Sequence, residues 1–150
     1  MFGPDELAGM VDTFGALDRE ELERACSETA FRRGEELSAG AVDSAIDDAI
    51  DAYALIDHDG RLVPGPSAFP TLPDGAEDLP HILDVGRRNV DRDAVAATVA
   101  ERFEAEVDAA IEAGDRSACE SLLDRSYEVE SWGPVDLADE RERLDDELDT

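Results

Sequence analysis

Five prolines stand between residues 64 and 84 (Pro64, Pro66, Pro70, Pro73 and Pro80), and they divide the chain into two stretches of helical pattern. Proline lacks a backbone N–H and its ring clashes with the carbonyl four residues earlier, so the segment is predicted to contain no regular helix. Yet Phe69, Leu72, Leu79, Ile82 and Leu83 make it too apolar for a free linker. The expectation is an ordered crossing that wraps over a core.

Before this crossing, Pro4, Asp5 and Glu6 open a short helix carrying Leu7, Met10, Val11 and Phe14 and ending at Gly15. Asp18, three residues before Glu21, gives a capping-box start to a second helix. Its stripe is Leu22, Ala25, Cys26, Thr29 and Ala30, with Phe31 expected to pack at its end near Gly34. Ser38 or Gly40 opens a third helix, with Val42, Ala45, Ile46, Ala49, Ile50 and Tyr53 on one face and Asp43, Asp47, Asp48 and Asp51 on the other. Tyr53 to Ile56 then favours an extended strand, Asp57-His58-Asp59-Gly60 a turn that exposes His58, and Arg61 to Val63 a returning strand.

Beyond the crossing, Asp91 caps a long helix to about Ala113, with Val95, Val99, Phe103, Val107 and Ile111 one turn apart. Gly114 ends it, and Asp115 starts a second helix through Leu122 and Leu123 towards Tyr127, making an αα-hairpin. Trp132-Gly133-Pro134 breaks the chain, and Asp136 caps a last helix carrying Leu137, Leu144 and Leu148. The prediction is an α+β, predominantly helical protein. Residues 1–64 form three helices and a β-hairpin, 65–90 the ordered crossing, and 91–150 the helical hairpin and final helix, all packed as one compact unit.

Charge sets the solvent. Asp and Glu number 40 against 13 basic residues, every one of them Arg, for a formal charge of -27. Such a domain repels itself at ordinary ionic strength, whereas in molar salt the Debye length falls to about 3 Å and the carboxylates simply hold water and diffuse cations. Disordered acidic tracts lack the apolar stripes seen here, so the chain is expected to be globular. Its start has no positively charged n-region and no signal-length apolar core, and no window approaches a membrane span. A cytoplasmic location away from membranes is expected. Cys26 and Cys119 lie singly in apolar stripes and are expected to be buried free thiols.

Three helices followed by a β-turn-β unit across Asp5 to Val63 resemble the winged-helix domain, and YALIDHDGRLVPG is similar to its wing. That resemblance implies a third helix entering the major groove, with Arg or Lys on phosphates. The third helix here carries only acids outward, which disfavours DNA. The arginines left for a winged-helix transcription regulator are Arg32, Arg33, Arg61, Arg87 and Arg88, with Arg92 beside them, and arginines among so many acids are expected to be ion-pair partners. The composition resembles cytoplasmic proteins of salt-in haloarchaea. Over its whole length the chain resembles an uncharacterised haloarchaeal family, most distinctively in AFPTLPDGAEDLPHILDV from Ala68 to Val85, and this resemblance implies no activity.

No motif compels an enzymatic reading. Asp57, Asp59 and Gly60 could fill three places of a calcium loop, but Leu55 and Pro66 stand where its anchoring carboxylates belong. His81 lies near Glu77, Asp78 and Asp84, without a nucleophile or metal to serve, and is expected to hydrogen-bond backbone carbonyls and pin its loop. There is no GxSxG, HExxH or phosphate-cradling glycine loop, and no cofactor or metal is implied. The favoured function is a non-enzymatic adaptor contacting an unknown protein or itself through Phe69, Leu72, Leu79, His81, Ile82 and Trp132. The alternatives are the DNA-binding regulator and an enzyme whose pocket joins His81 to Cys119 or to several acids.

Overall fold

The computed structural model describes residues 2–149. They form seven helices and one two-stranded antiparallel sheet, a predominantly helical α+β fold. Two compact units divide the chain, residues 1–90 and 91–150, and the proline-rich crossing belongs to the first.

In the first unit, α1 (Pro4–Phe14), α2 (Arg19–Arg32) and α3 (Ala39–Asp51) precede β1 (Leu55–His58), β2 (Arg61–Pro64) and α4 (Leu79–Leu83). The first three helices start where their capping chemistry says they should. The Gly3 N–H donates to Glu6 at 3.2 Å ahead of α1. At α2 the exchange is reciprocal: the Glu21 N–H donates to Asp18 Oδ1 at 2.8 Å and the Asp18 N–H to Glu21 Oε1 at 2.9 Å. Ser38 Oγ accepts from the Ala41 N–H at 3.2 Å to open α3. Gly15, with φ of 87°, turns the chain out of α1. Leu7, Met10, Phe14, Leu22, Cys26, Ile46 and Leu55 meet in a buried hydrophobic core.

Phe31 departs from expectation. It is 80% exposed on α2 rather than packed at its end. The buried stripe of α2 closes at Thr29 and Ala30, and the next residue lies about 100° further round the helix, beyond the stripe.

The hairpin is tighter than its sequence suggests. Tyr53 is not extended but has φ of 61°, a left-handed step that carries the chain out of α3 while its ring stays buried. His58 sits in β1 opposite Arg61 and is half-buried, not exposed in the turn. The turn is only Asp59-Gly60, with φ of 53° and 84°, the two positive values that a type I′ turn requires. On the other edge of β2, Leu17 forms a bridge with Leu62: the Leu62 N–H donates to Leu17 O at 2.7 Å, and the reverse bond is 3.1 Å. The α1–α2 connection thus pairs with the hairpin.

The crossing holds one short helix, contrary to expectation. Pro80 occupies the first turn of α4, where its missing N–H leaves no helical bond unmade. Ala76, Leu79 and Leu83 enter the core. Upstream, Asp5 fastens the crossing to α1 twice: its carbonyl accepts from the Thr71 N–H at 3.0 Å, and its carboxylate from the Phe69 N–H at 3.0 Å. Gly9 of α1 lies directly under the Thr71 backbone, with no room for a Cβ.

Gly9→Ala is accordingly expected to destabilise the protein. Alanine gains about 1 kcal/mol over glycine inside a helix. Here its methyl would strike main chain that cannot rotate aside, and such overpacking costs about 1–3 kcal/mol and commonly exceeds that gain. Urea denaturation in molar KCl measures the sign, and a stabilised variant would show that the crossing yields freely.

The second unit comprises α5 (Arg92–Ala113), α6 (Arg116–Trp132) and α7 (Ala138–Leu148), each packed on the other two. Asp91 caps α5 by accepting from the Asp93 and Ala94 N–H groups at 3.1 and 3.2 Å. Gly114, in the left-handed conformation, ends α5, and Asp115 caps α6 through the Ala118 N–H at 3.0 Å. Helix α6 continues through Trp132, so the chain breaks after that residue. Helix α7 starts one residue later than expected, because Leu137 takes the capping backbone position while the Asp136 carboxylate accepts from the Ala138 N–H at 3.0 Å. Val95, Val99, Phe103, Val107, Cys119, Leu122, Val129, Leu137 and Leu144 are buried.

Candidate interaction surface

The double fastening by Asp5 gives the crossing a fixed outward face. Phe69 is 79% exposed and Leu72 43% exposed, with Pro70 and Thr71 exposed between them. Thr71 Oγ1 donates to Phe69 O at 3.1 Å, closing a small turn within the ridge. No charged residue occurs from Leu62 to Pro73, so the ridge is an uncharged projection on an acidic protein.

The other surface candidates divide. Leu79 is fully buried and is a core residue, not a surface one. Ile82 is half-buried and His81 exposed, both on α4. No side-chain hydrogen bond of His81 is seen among the described residues, so the loop is pinned by Asp5 and not by His81. Trp132 belongs to the second unit, half-buried, with the Arg92 guanidinium 6.0 Å from its ring centroid and donating to its carbonyl at 3.4 Å.

Most of the candidate arginines are spoken for. Arg32 pairs with Asp78 at 2.8 Å, and Arg33 pairs with Glu35 at 3.0 Å while its guanidinium lies 5.4 Å from the Phe2 ring centroid. Arg87 donates to the carbonyls of Asp12 and Thr13 at 3.2 and 3.3 Å, a cation placed at the negative end of the α1 dipole. Arg88 grips Glu21 with both terminal nitrogens, at 2.6 and 2.8 Å, and also donates to Ala16 O at 3.1 Å. That guanidinium, helped by the Asp18 N–H, holds the Glu21 carboxyl down at about 2. Of the five, only the Arg61 side chain makes no hydrogen bond or ion pair among the described residues, although its charge also helps to lower the Glu21 carboxyl. Sequence reasoning missed Arg19, which reaches Asp43 at 2.6 Å and Asp47 at 2.7 Å and so bridges α2 to the acidic face of α3.

The groups needed for covalent or metal chemistry are placed otherwise. Burial, reinforced by Glu23, pushes the Cys26 thiol up to about 12, and burial also raises Cys119; both are free and buried. Asp57 accepts from the Gly60 N–H at 3.2 Å and so serves its own hairpin turn. Among the described residues no group of three or more His, Cys, Asp and Glu side chains is placed to hold a metal ion. A groove of about 460 Å3 runs between α2 and the start of α3. No helix among the described residues is long and apolar enough to cross a membrane.

Fold and surface together define a predominantly helical α+β protein of two compact units, with a tethered apolar ridge on the first. Residues 5–149 match the model of a family of unknown function, DUF7109, and the chain belongs to that family. No curated protein and no solved structure matches it.

Proposed function

We propose that this is a non-enzymatic interaction module of a salt-in haloarchaeal cytoplasm, and that it binds a protein partner through the Phe69–Leu72 ridge. The observation that carries this reading is a large aromatic side chain held 79% exposed on a backbone fastened at both Phe69 and Thr71. A fastened ridge loses little further conformational entropy on binding, and aromatic anchors at charge-depleted patches supply much of the energy of protein interfaces. The surrounding acids keep the rest of the surface hydrated. The non-enzymatic reading is supported by the two buried thiols of raised pKa and by an exposed His81 whose side chain makes no hydrogen bond among the described residues.

Three helices followed by a β-hairpin are the element order on which the winged-helix resemblance rests, and that order supports reading the first unit as a scaffold. Against a nucleic-acid role stand the engagement of Arg32, Arg33, Arg87 and Arg88 and the acids of α3. Affinity purification from native cytoplasm in molar KCl tests the proposal. A protein partner is expected with the wild type and is lost with Phe69→Ala/Leu72→Ala, whose circular dichroism should be unchanged. Co-purification of DNA, or retention of the same partner by the double variant, would sink it.

A further inference from the structure

We propose that the groove between α2 and α3 is a second docking site, independent of the ridge, and that its occupant is a basic amphipathic helix of a partner protein. Leu37 and Val42 give the groove an apolar lining, while Glu20, Glu23 and Glu28 stand along it with a single base, Arg24. These three carboxylates have no ion pair or hydrogen bond among the described residues. Elsewhere in the same unit the arginines have taken specific acids: Arg19 holds Asp43 and Asp47, Arg32 holds Asp78, Arg33 holds Glu35, and Arg88 holds Glu21. Glu20, Glu23 and Glu28 are among the acids left open in this unit, and they are the ones that stand beside the groove's apolar residues.

Phe31 stands further along α2. It lies one helical turn beyond Ser27, which lines the groove, on the same face of α2, and it is 80% exposed. An occupant with apolar side chains at helical spacing can reach both Val42 and Phe31, and flanking Lys or Arg can meet the glutamates. The walls are preformed. Arg19 ties the start of α2 to α3, and the Ser38 cap fixes the first turn of α3. A second copy of this chain is a poor occupant, because it has no Lys, carries a charge of -27 and has most arginines of this unit engaged. The site thus selects a different, cationic protein. Contact ion pairs are shorter than or comparable with the Debye length of about 3 Å in molar salt, so they persist where long-range attraction does not.

The test titrates the isotopically labelled full chain, in molar KCl, with a synthetic peptide of about four helical turns bearing Leu on one face and Arg on the other. Saturable amide shifts are expected at Ser27, Phe31, Leu37 and Val42. Glu23→Lys/Glu28→Lys should weaken binding about tenfold or more, Phe31→Ala should weaken it as well, and Phe69→Ala should leave it unchanged. Replacing the peptide leucines by serine should abolish binding. The proposal is overturned if the serine peptide binds equally well, which would mean diffuse attraction to acids. It also fails if shifts spread over Asp48, Asp51 and the ridge, if the charge reversal has no effect, if the same shifts arise from protein concentration alone, or if nothing binds.

Discussion

Helical circular dichroism is expected to be complete and to melt cooperatively in molar KCl, and to fall away in dilute buffer. The chain spreads a charge of -27 over an accessible surface of 8033 Å2. At about 0.1 M salt the Debye length is about 10 Å, so each carboxylate feels several neighbours; at 1 M it is about 3 Å, and they are nearly independent. The whole stability of a domain this size is only about 5–15 kcal/mol, which summed repulsion of this kind can consume. Loss should begin in α7. That helix sets Asp139, Glu140, Glu142, Asp145, Asp146 and Glu147 against Arg141 and Arg143, and its one fully buried side chain is Leu144. Amide exchange across a KCl series locates the first opening, and a spectrum unchanged in dilute buffer would refute the halophilic reading.

Arg88→Ala should cost about 2–4 kcal/mol at neutral pH and much less in acid, where Glu21 is neutral. The guanidinium joins Glu21 at the start of α2 to Ala16 O after α1, from a position in the crossing, so its loss strands a carboxylate that is only 17% exposed. The folded state holds Glu21 at about 2, below its ordinary 4.5. A depressed carboxylate stabilises the fold fully above the ordinary value and loses that contribution as pH falls from 4.5 towards 2. A fall from 4.5 to about 2 corresponds to about 3–4 kcal/mol. Urea midpoints of wild type and variant in molar KCl should therefore draw together as pH falls below about 4.5 and meet only near about 2. A difference that stays constant would assign the loss to packing of the Arg88 stem and not to its charge.

Local chemistry was the legible part of this chain. The Asp18–Glu21 capping box, the Asp91 and Asp115 caps, Gly15, Gly114 and the stripe from Leu22 to Ala30 all stand as the pattern predicts, because each depends on neighbours within a turn or two. Pro80 was misjudged for the opposite reason: a helix short enough to keep proline in its first turn escapes the rule that excludes it. Phe31 and Leu79 show how little hydrophobicity alone says about burial. What separates them is a rotation about one helix and the docking of another segment. The candidate surface was legible as residues but not as geometry. The bond from Phe69 to Asp5 spans 64 positions, and those of Arg32 and Arg88 span 46 and 67, distances at which sequence carries no pairing signal.

The fastening of the crossing to α1 uses main-chain N–H groups of residues 69 and 71, a carbonyl and carboxylate of Asp5, and the bare face of Gly9. None of these involves the side chains of Phe69 or Leu72. Shape and lettering are thus separable at this edge of the molecule: the protrusion keeps its form whatever side chains it displays. Relatives can exchange those two residues without disturbing the fold, so divergence at positions 69 and 72 beside constancy at 5 and 9 would be the imprint of changing partners on an unchanging frame.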